Sequence, residues 1–164
     1  MGDYQIIGQR PIRPDATDKV KGLANYGADM SLPRMLHGKV LRSDCAHARI
    51  VNIDTSEAEK IEGVESVVTG QDFVHLKPGG AGDIARDNLA IEKILFHGHA
   101  VAAVAAKTLS IAEQALDAIK VEYEELKPVM NLDDAMADDV ILHDYEKSTS
   151  SNIFARDERS AGDI

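Results

Sequence analysis

Between residues 98 and 126 the hydrophobic pattern changes period twice. Residues 101–106 (VAAVAA) form a continuous run of small apolar side chains, which predicts a strand covered on both faces. Ser110-Ile111-Ala112-Glu113 fits a capping box. In that arrangement the Ser110 hydroxyl accepts from the N–H of Glu113, and the Glu113 carboxylate reaches back to the N–H of Ser110. Ile111, Ala112, Ala115, Leu116 and Ile119 then recur at helical spacing and make one apolar stripe. Val121 and Tyr123 alternate with Glu122 and Glu124, the pattern of a strand with one wet face. The segment therefore predicts strand, helix, strand.

The same plan recurs upstream. Residues 48–54 (ARIVNID) predict a strand, Ser56-Glu57-Ala58-Glu59 a second capping box opening a short helix, and residues 64–69 (VESVVT) another strand. Gly63 suits the end of that helix, where a positive φ costs glycine little. Residues 35–42 predict a further strand, with Leu36, Gly38, Val40 and Arg42 on one side and Met35, His37, Lys39 and Leu41 on the other. Residues 15–21 predict a helical turn ended by Gly22, residues 23–30 a short strand or extended segment, and residues 71–76 a helical turn. Asn131 is a candidate cap for a short helix over 132–137, followed by a short strand over 140–143. Pro11 and Pro14 favour an extended arm over residues 1–14. Residues 77–88 (KPGGAGDIARDN) predict a glycine-rich loop, and residues 146–164 a polar linker or tail. The fold class is α/β (α+β), a single mixed-sheet domain over residues 15–145.

Composition narrows the possibilities. With 164 residues the chain can bury a core without staples. Aromatics are only 4% and Trp is absent, so Val, Ile, Leu and Ala must build that core. The net charge of −10 argues against nucleic acid, which needs clustered Lys and Arg. A single cysteine, Cys45, excludes a disulfide framework and an iron–sulfur cluster held by this chain's own cysteines. No apolar run approaches the roughly 20 residues of a membrane helix, and residues 1–10 show no signal-peptide core. With one cysteine, a reducing, cytoplasmic setting is the default expectation.

Candidate chemistry is sparse. Gly79-Gly80-Ala81-Gly82-Asp83 lacks the Gly-Lys-Ser/Thr ending of a phosphate loop and reads as a connector. His97, His99, His47 and Cys45 are metal-ligand types, but a site needs three or four that converge; the pattern reads as turn and surface histidines. Cys45 with His47 could form a nucleophile–base pair only with an orienting third group, and otherwise Cys45 is a small half-buried thiol. The acidic groups Glu122, Glu124, Glu125, Asp133, Asp134, Asp138 and Asp139 are explained by strand alternation and by position at a helix start. On the residues alone the reading ends at an acidic α/β domain without a visible active site.

Four segments in order resemble one family. Residues 19–29 (KVKGLANYGAD) resemble its opening motif KVTGxAxYxxD. Residues 36–43 (LHGKVLRS) with Ala46-His47-Ala48-Arg49-Ile50 resemble LxxxxxRSxxAHAxI. Ile53-Asp54 through Gly63-Val64 resemble IDxxxAxxxxGV, and residues 98–106 with Val121-Glu122-Tyr123-Glu124-Glu125-Leu126 resemble GxxVAxVxA…VxYExL. These patterns are similar to the N-terminal α/β hammerhead domain of the molybdopterin-binding large subunit in the molybdenum hydroxylases, the xanthine dehydrogenase, aldehyde oxidase and carbon monoxide dehydrogenase family. The chain departs from many relatives at Asp44-Cys45 (Pro-His) and Lys127-Pro128 (Leu-Pro), both at turns. The segment ending at Ile164 resembles the connector to the next domain. In the family, the cofactor-holding glycine-rich loops and the base glutamate lie further on, so no catalytic, cofactor-binding or metal-binding residue carries over to any position here.

The resemblance implies a scaffold domain or small subunit of a molybdenum-dependent hydroxylase acting on an aromatic heterocycle, aldehyde or acyl-CoA. Molybdopterin, iron–sulfur clusters and FAD would sit in the assembly, on a molybdopterin-binding catalytic chain, an iron–sulfur subunit and an FAD subunit. Nucleic acid and membrane are not expected partners. The alternatives are a stand-alone interaction module and a small enzyme using Cys45 and His47.

Overall fold

The computed structural model describes residues 6–8, 10–74, 88–144, 151–153 and 155–162. The glycine-rich stretch at Gly79 to Gly82 lies outside them. The chain forms two compact units, residues 1–35 and residues 36–164.

The first unit carries one short helix, α1 (Ala16–Lys21). Gly22 ends it at φ 70°, returning its N–H to the carbonyls of Asp18 and Lys19. Residues 23–30, expected as a short strand or extended segment, form no strand and carry a 3-10 turn at Gly27–Asp29. The reason is local: the Asp29 carboxylate accepts from the N–H of Tyr26 at 3.0 Å, and the N–H of Asp29 donates to the Tyr26 carbonyl. Those bonds satisfy backbone groups that a strand would have to pair elsewhere.

In the second unit the order is β1 (His37–Arg42), β2 (Ala48–Asp54), α2 (Ser56–Glu59), β3 (Val64–Thr69), β4 (Lys93–Ile94), β5 (Ala100–Ala106), α3 (Leu109–Ala118), β6 (Lys120–Glu125) and α4 (Leu132–Ala137). A 3-10 turn, Gly70–Phe73, follows β3. The strands are dealt into two three-stranded sheets. Sheet 1 runs β1-β5-β3 and sheet 2 runs β4-β2-β6, with every pairing antiparallel. Both strand–helix–strand units are present, and each crosses between sheets. The first strand of the upstream unit (β2) pairs with the last of the downstream unit (β6). The upstream unit's last strand (β3) pairs with the downstream unit's first (β5). The two units therefore interlock.

The capping residues differ from those expected. At α3 the Thr108 hydroxyl accepts from the N–H of Ile111, so the helix starts before Ser110. Glu113 is used elsewhere, paired with Lys39 of β1 at 3.0 Å. At α2 the Asp54 carboxylate accepts from the N–H of Ser56, and Glu59 accepts from the Thr55 hydroxyl at 2.6 Å. The expected strand over 140–143 is not regular structure, because side chains take its backbone groups. Asn131 does cap α4, accepting from the N–H of Asp134 at 2.8 Å.

Two cores follow from the strand alternation. Ala102, Val104 and Ala106 of β5 pack with Ala58, Ala112, Ala115 and Ile119. The alanines on both β5 and α3 let the helix lie close to sheet 1, with Ile111, Leu116 and Leu41 around them. Adjacent residues of a strand point to opposite faces, so Val101 joins a second core with Ala48, Ala90 and Ile94. Ile53 and Val121 touch both.

Candidate functional site

The chemistry-bearing residues gather where the loop after β1 meets the turn before β5. The Ser43 N–H donates to the His99 carbonyl at 2.9 Å, and the Gly98 N–H donates to the Ser43 carbonyl at 2.8 Å. The Arg42 guanidinium donates to the Gly98 carbonyl. The Ser43 hydroxyl accepts from the Cys45 N–H at 3.0 Å. Ser43 is 3% exposed, so these bonds stabilise an otherwise costly buried polar group.

The histidines divide in two. His97 is exposed, with Nδ1 3.1 Å from the Asp44 carbonyl. His99 was expected at the surface, yet it is 1% exposed. Its Nδ1 accepts from the Leu95 N–H, and its ring stacks on Phe96 at 4.5 Å. The cause is the turn at Gly98 (φ 85°), which points the two histidines differently. His47 is also buried. Its Nδ1 donates to the Lys127 carbonyl at 2.8 Å, and its Nε2 has no partner among the described residues. That geometry excludes a Cys45–His47 hydrogen bond: neither ring nitrogen reaches the thiol.

Cys45 is half-buried, as expected of a thiol in this loop. Burial pushes it above an ordinary thiol, and the neighbouring Asp44 carboxylate adds to the shift. Its Sγ lies 3.7 Å from Asp44 Oδ1. Only the thiolate is a nucleophile. Cys45 should therefore alkylate slowly with iodoacetamide at neutral pH, and Asp44→Asn should speed it severalfold, followed by intact-mass spectrometry. Equal rates in the two proteins would remove the carboxylate from the explanation. Tyr123, which the pattern placed simply on a buried face, belongs to the same cluster. Burial pushes its phenol up, partly offset by a hydrogen bond with Ser43.

The acidic residues form no catalytic pair. Glu122, Glu124 and Glu125 are exposed on β6, with Glu124 3.8 Å from Arg49. Asp133 and Asp134 stand in the first turn of α4, and Asp134 is bonded to Asn131. A cleft of about 350 Å³ opens beside β2 and β3, bordered by Asn52, Thr55, Glu59, Val67 and Gln71. Its polar groups are largely paired with each other or with backbone: Thr55 with Glu59, and Gln71 Nε2 with the Ile91 carbonyl. Among the described residues no three His, Cys, Asp or Glu side chains converge as a metal site. No helix among the described residues is long and apolar enough to cross a membrane.

Two polar residues carry more structure than their sequence context suggested. Lys93 of β4 and Asn152 both bind the segment after α4 through side-chain bonds. Neither has a local signal, since each lies far along the chain from the groups it binds.

Comparison with known proteins sets this arrangement in context. Residues 21–127 match the family model described as aldehyde oxidase and xanthine dehydrogenase, a/b hammerhead domain. The chain is 42% identical over 141 residues to the nicotinate dehydrogenase large molybdopterin subunit of Eubacterium barkeri, covering 84% of this chain and 32% of that one. It is 41% identical over 142 residues to the carbon monoxide dehydrogenase large chain of Afipia carboxidovorans, covering 84% of this chain and 17% of that one. Among solved structures, quinoline 2-oxidoreductase from Pseudomonas putida 86 superposes with a TM-score of 0.75 at 35% identity, over 88% of this chain and 19% of that one. The chain spans less than a third of the lengths of these curated relatives.

Proposed function

Since this chain belongs to the aldehyde oxidase and xanthine dehydrogenase family, as its a/b hammerhead domain, we propose that it is a scaffold domain or small subunit of a molybdenum-dependent hydroxylase or dehydrogenase. The substrate class is an aromatic heterocycle, aldehyde or acyl-CoA. Molybdopterin, iron–sulfur clusters and FAD belong to the assembly, on a molybdopterin-binding catalytic chain or domain, an iron–sulfur subunit and an FAD subunit in the cytoplasm. We assign no catalytic, cofactor-binding or metal-binding residue to this chain. We further propose residues 15–145 as the hammerhead domain, with residues 1–14 as an N-terminal arm and residues 146–164 as a polar linker or tail.

The observation that carries this reading is the match of residues 21–127 to a domain that makes up only a part of a relative named as a molybdopterin subunit. The molybdenum group supplies hydroxylation coupled to two-electron transfer when bound to its own subunit. This chain's residues supply rigidity: two alanine-lined cores and a loop of buried, mutually bonded polar groups.

The test is purification of the tagged chain from its native host, with subunits identified by mass spectrometry and molybdenum, iron and flavin counted. Large partner polypeptides with molybdenum and flavin are expected. The isolated 164-residue chain should fold and hold no stoichiometric molybdenum. A lone folded protein from the native host would instead mark a stand-alone interaction module, and stoichiometric molybdenum in the pure chain would overturn the placement of the cofactor elsewhere.

A further inference from the structure

We propose that residues 151–153 form a strap that fastens the turn after α4 to the end of that helix, the turn itself being held to sheet 2 by Lys93, so that the polypeptide leaves the hammerhead domain in a fixed direction rather than through a free hinge. The inference stands on geometry and does not depend on the enzymatic reading.

Asn152 uses its backbone and its whole side-chain amide for one purpose. Its N–H donates to Asp138 Oδ1 at 2.6 Å. Its Oδ1 accepts from the Leu142 N–H at 2.9 Å. Its Nδ2 donates to the carbonyls of Val140 at 2.7 Å and Ala135 at 3.2 Å. A helix end leaves carbonyls without partners, and here a side chain from further along the chain satisfies one of them, at Ala135. Asp138, which ends α4, sits at φ 55°, a conformation unfavourable for a non-glycine residue. The bond from Asn152 helps hold it there, and it also holds the Asp138 carboxyl below the ordinary carboxylate range.

The other side of the same segment is gripped from sheet 2. Lys93 Nζ donates to the carbonyls of Ile141 at 3.4 Å and Leu142 at 3.1 Å, and pairs with Asp144 at 2.9 Å. The Lys93 side chain is 10% exposed, so its ammonium is committed to these partners. Consecutive residues 140, 141 and 142 thus have their carbonyls taken by side chains from two distant positions. An irregular segment with its backbone groups so occupied is ordered without being helix or strand. Its grip on sheet 2 runs through β4, which pairs with β2 at Ala48 and Arg49.

The test is amide hydrogen exchange on the full 164-residue chain. Asn152→Ala should accelerate exchange at Leu142 and in the last turn of α4 by about tenfold or more, from the loss of several hydrogen bonds. Exchange in β5 should stay unchanged. Asn152→Asp keeps the acceptor but loses both side-chain donors, and should show the same local acceleration. Lys93→Met keeps the apolar stem and loses the ammonium; it should loosen residues 141–144 from the other side. Unchanged exchange at Leu142 in the Asn152 variants would overturn the strap. So would an equal acceleration in β5, which would make Asn152 a general stabiliser rather than a local lock. Should Asn152→Ala fail to fold, Asn152→Asp separates the same two outcomes: acceleration confined to Leu142 and the last turn of α4 supports the strap, and no local effect, or an equal effect in β5, overturns it.

Discussion

Ile94→Ala is expected to destabilise the domain by about 2–5 kcal/mol, toward the upper end of that range. Ile94 is fully buried in the second core, between Ala48, Ala90 and Val101. Two of those neighbours are alanines, which have no side-chain length with which to fill a void. The cavity would therefore persist, and the cost is the lost transfer energy plus the cavity term. β4 is only two residues long, so it has little pairing with which to hold its place once Ile94 is gone. The measurement is urea unfolding of the 164-residue chain followed by circular dichroism. Val51→Ala, at a site 61% exposed on the neighbouring strand, is the control and should stay within about 0.5 kcal/mol of the parent. A cost for Ile94→Ala no larger than the control's would show that the second core is not cooperative with the first. The effect should also reach the strap, because Lys93 is held in place by the same strand.

Much of the fold was readable from local pattern, for a physical reason. Strand alternation and helical stripes are set by which face is buried, and that is written in consecutive residues. β2 and β3 coincide with the expected 48–54 and 64–69, and the Ile111–Ile119 stripe faces the first core. Gly63 takes the expected positive φ, but α2 already ends at Glu59 with Lys60 as its cap, so Gly63 turns the chain into β3 rather than ending the helix. What local pattern does not encode is pairing across distance. The two strand–helix–strand units were visible, but their interlocking between two sheets was not, since nothing in β5 names β1 and β3 as its neighbours. The capping errors have the same origin. Ser110 and Ser56 fit the cap motif, yet Thr108 caps α3 and Thr55 stands at the N-cap of α2 with Asp54 bonding the Ser56 N–H, because each helix starts earlier and Glu113 is claimed by Lys39 from another strand.

The site was legible in a different way. Composition and spacing carried no signal for it, and what the sequence did carry was the four-segment resemblance to the family that the comparisons then showed. The buried histidines were not legible. His97 and His99 differ by two residues and by one glycine turn, and only the fold tells which of them is packed away. Asn152 was invisible for a stronger reason. A polar residue in a polar stretch has no hydrophobic signature, and its meaning lies in carbonyls up to 17 residues distant.

Gly70→Ala is expected to cost about 1–3 kcal/mol or more, and its partner variant separates the cause. A Cβ at Gly70 would stand 2.3 Å from the Ala90 carbonyl oxygen, 2.8 Å from that carbonyl carbon and 2.9 Å from Ile91 Cα. All three are backbone atoms, so no side chain can swing aside. Gly63 offers a contrast: its added Cβ would meet the Ile111 Cδ1 tip at 2.8 Å, and its φ of 96° adds conformational strain. At Gly70 the requirement is room. Relief would need the chain at 90–91 to move, yet the Ala90 N–H is bonded to the Ala100 carbonyl at 2.8 Å and Ala90 itself is buried against Ile94. The substitution thus pries the end of β3 away from both β5 and the second core. Because the clash is with backbone, Ala90→Gly in the same protein should not rescue it, and should add a further loss from the core. Urea unfolding of both variants decides the matter. Recovery in the double variant, or a single-variant cost below about 0.5 kcal/mol, would show that the segment at Ala90 yields freely and that β3 and the second core are not rigidly joined.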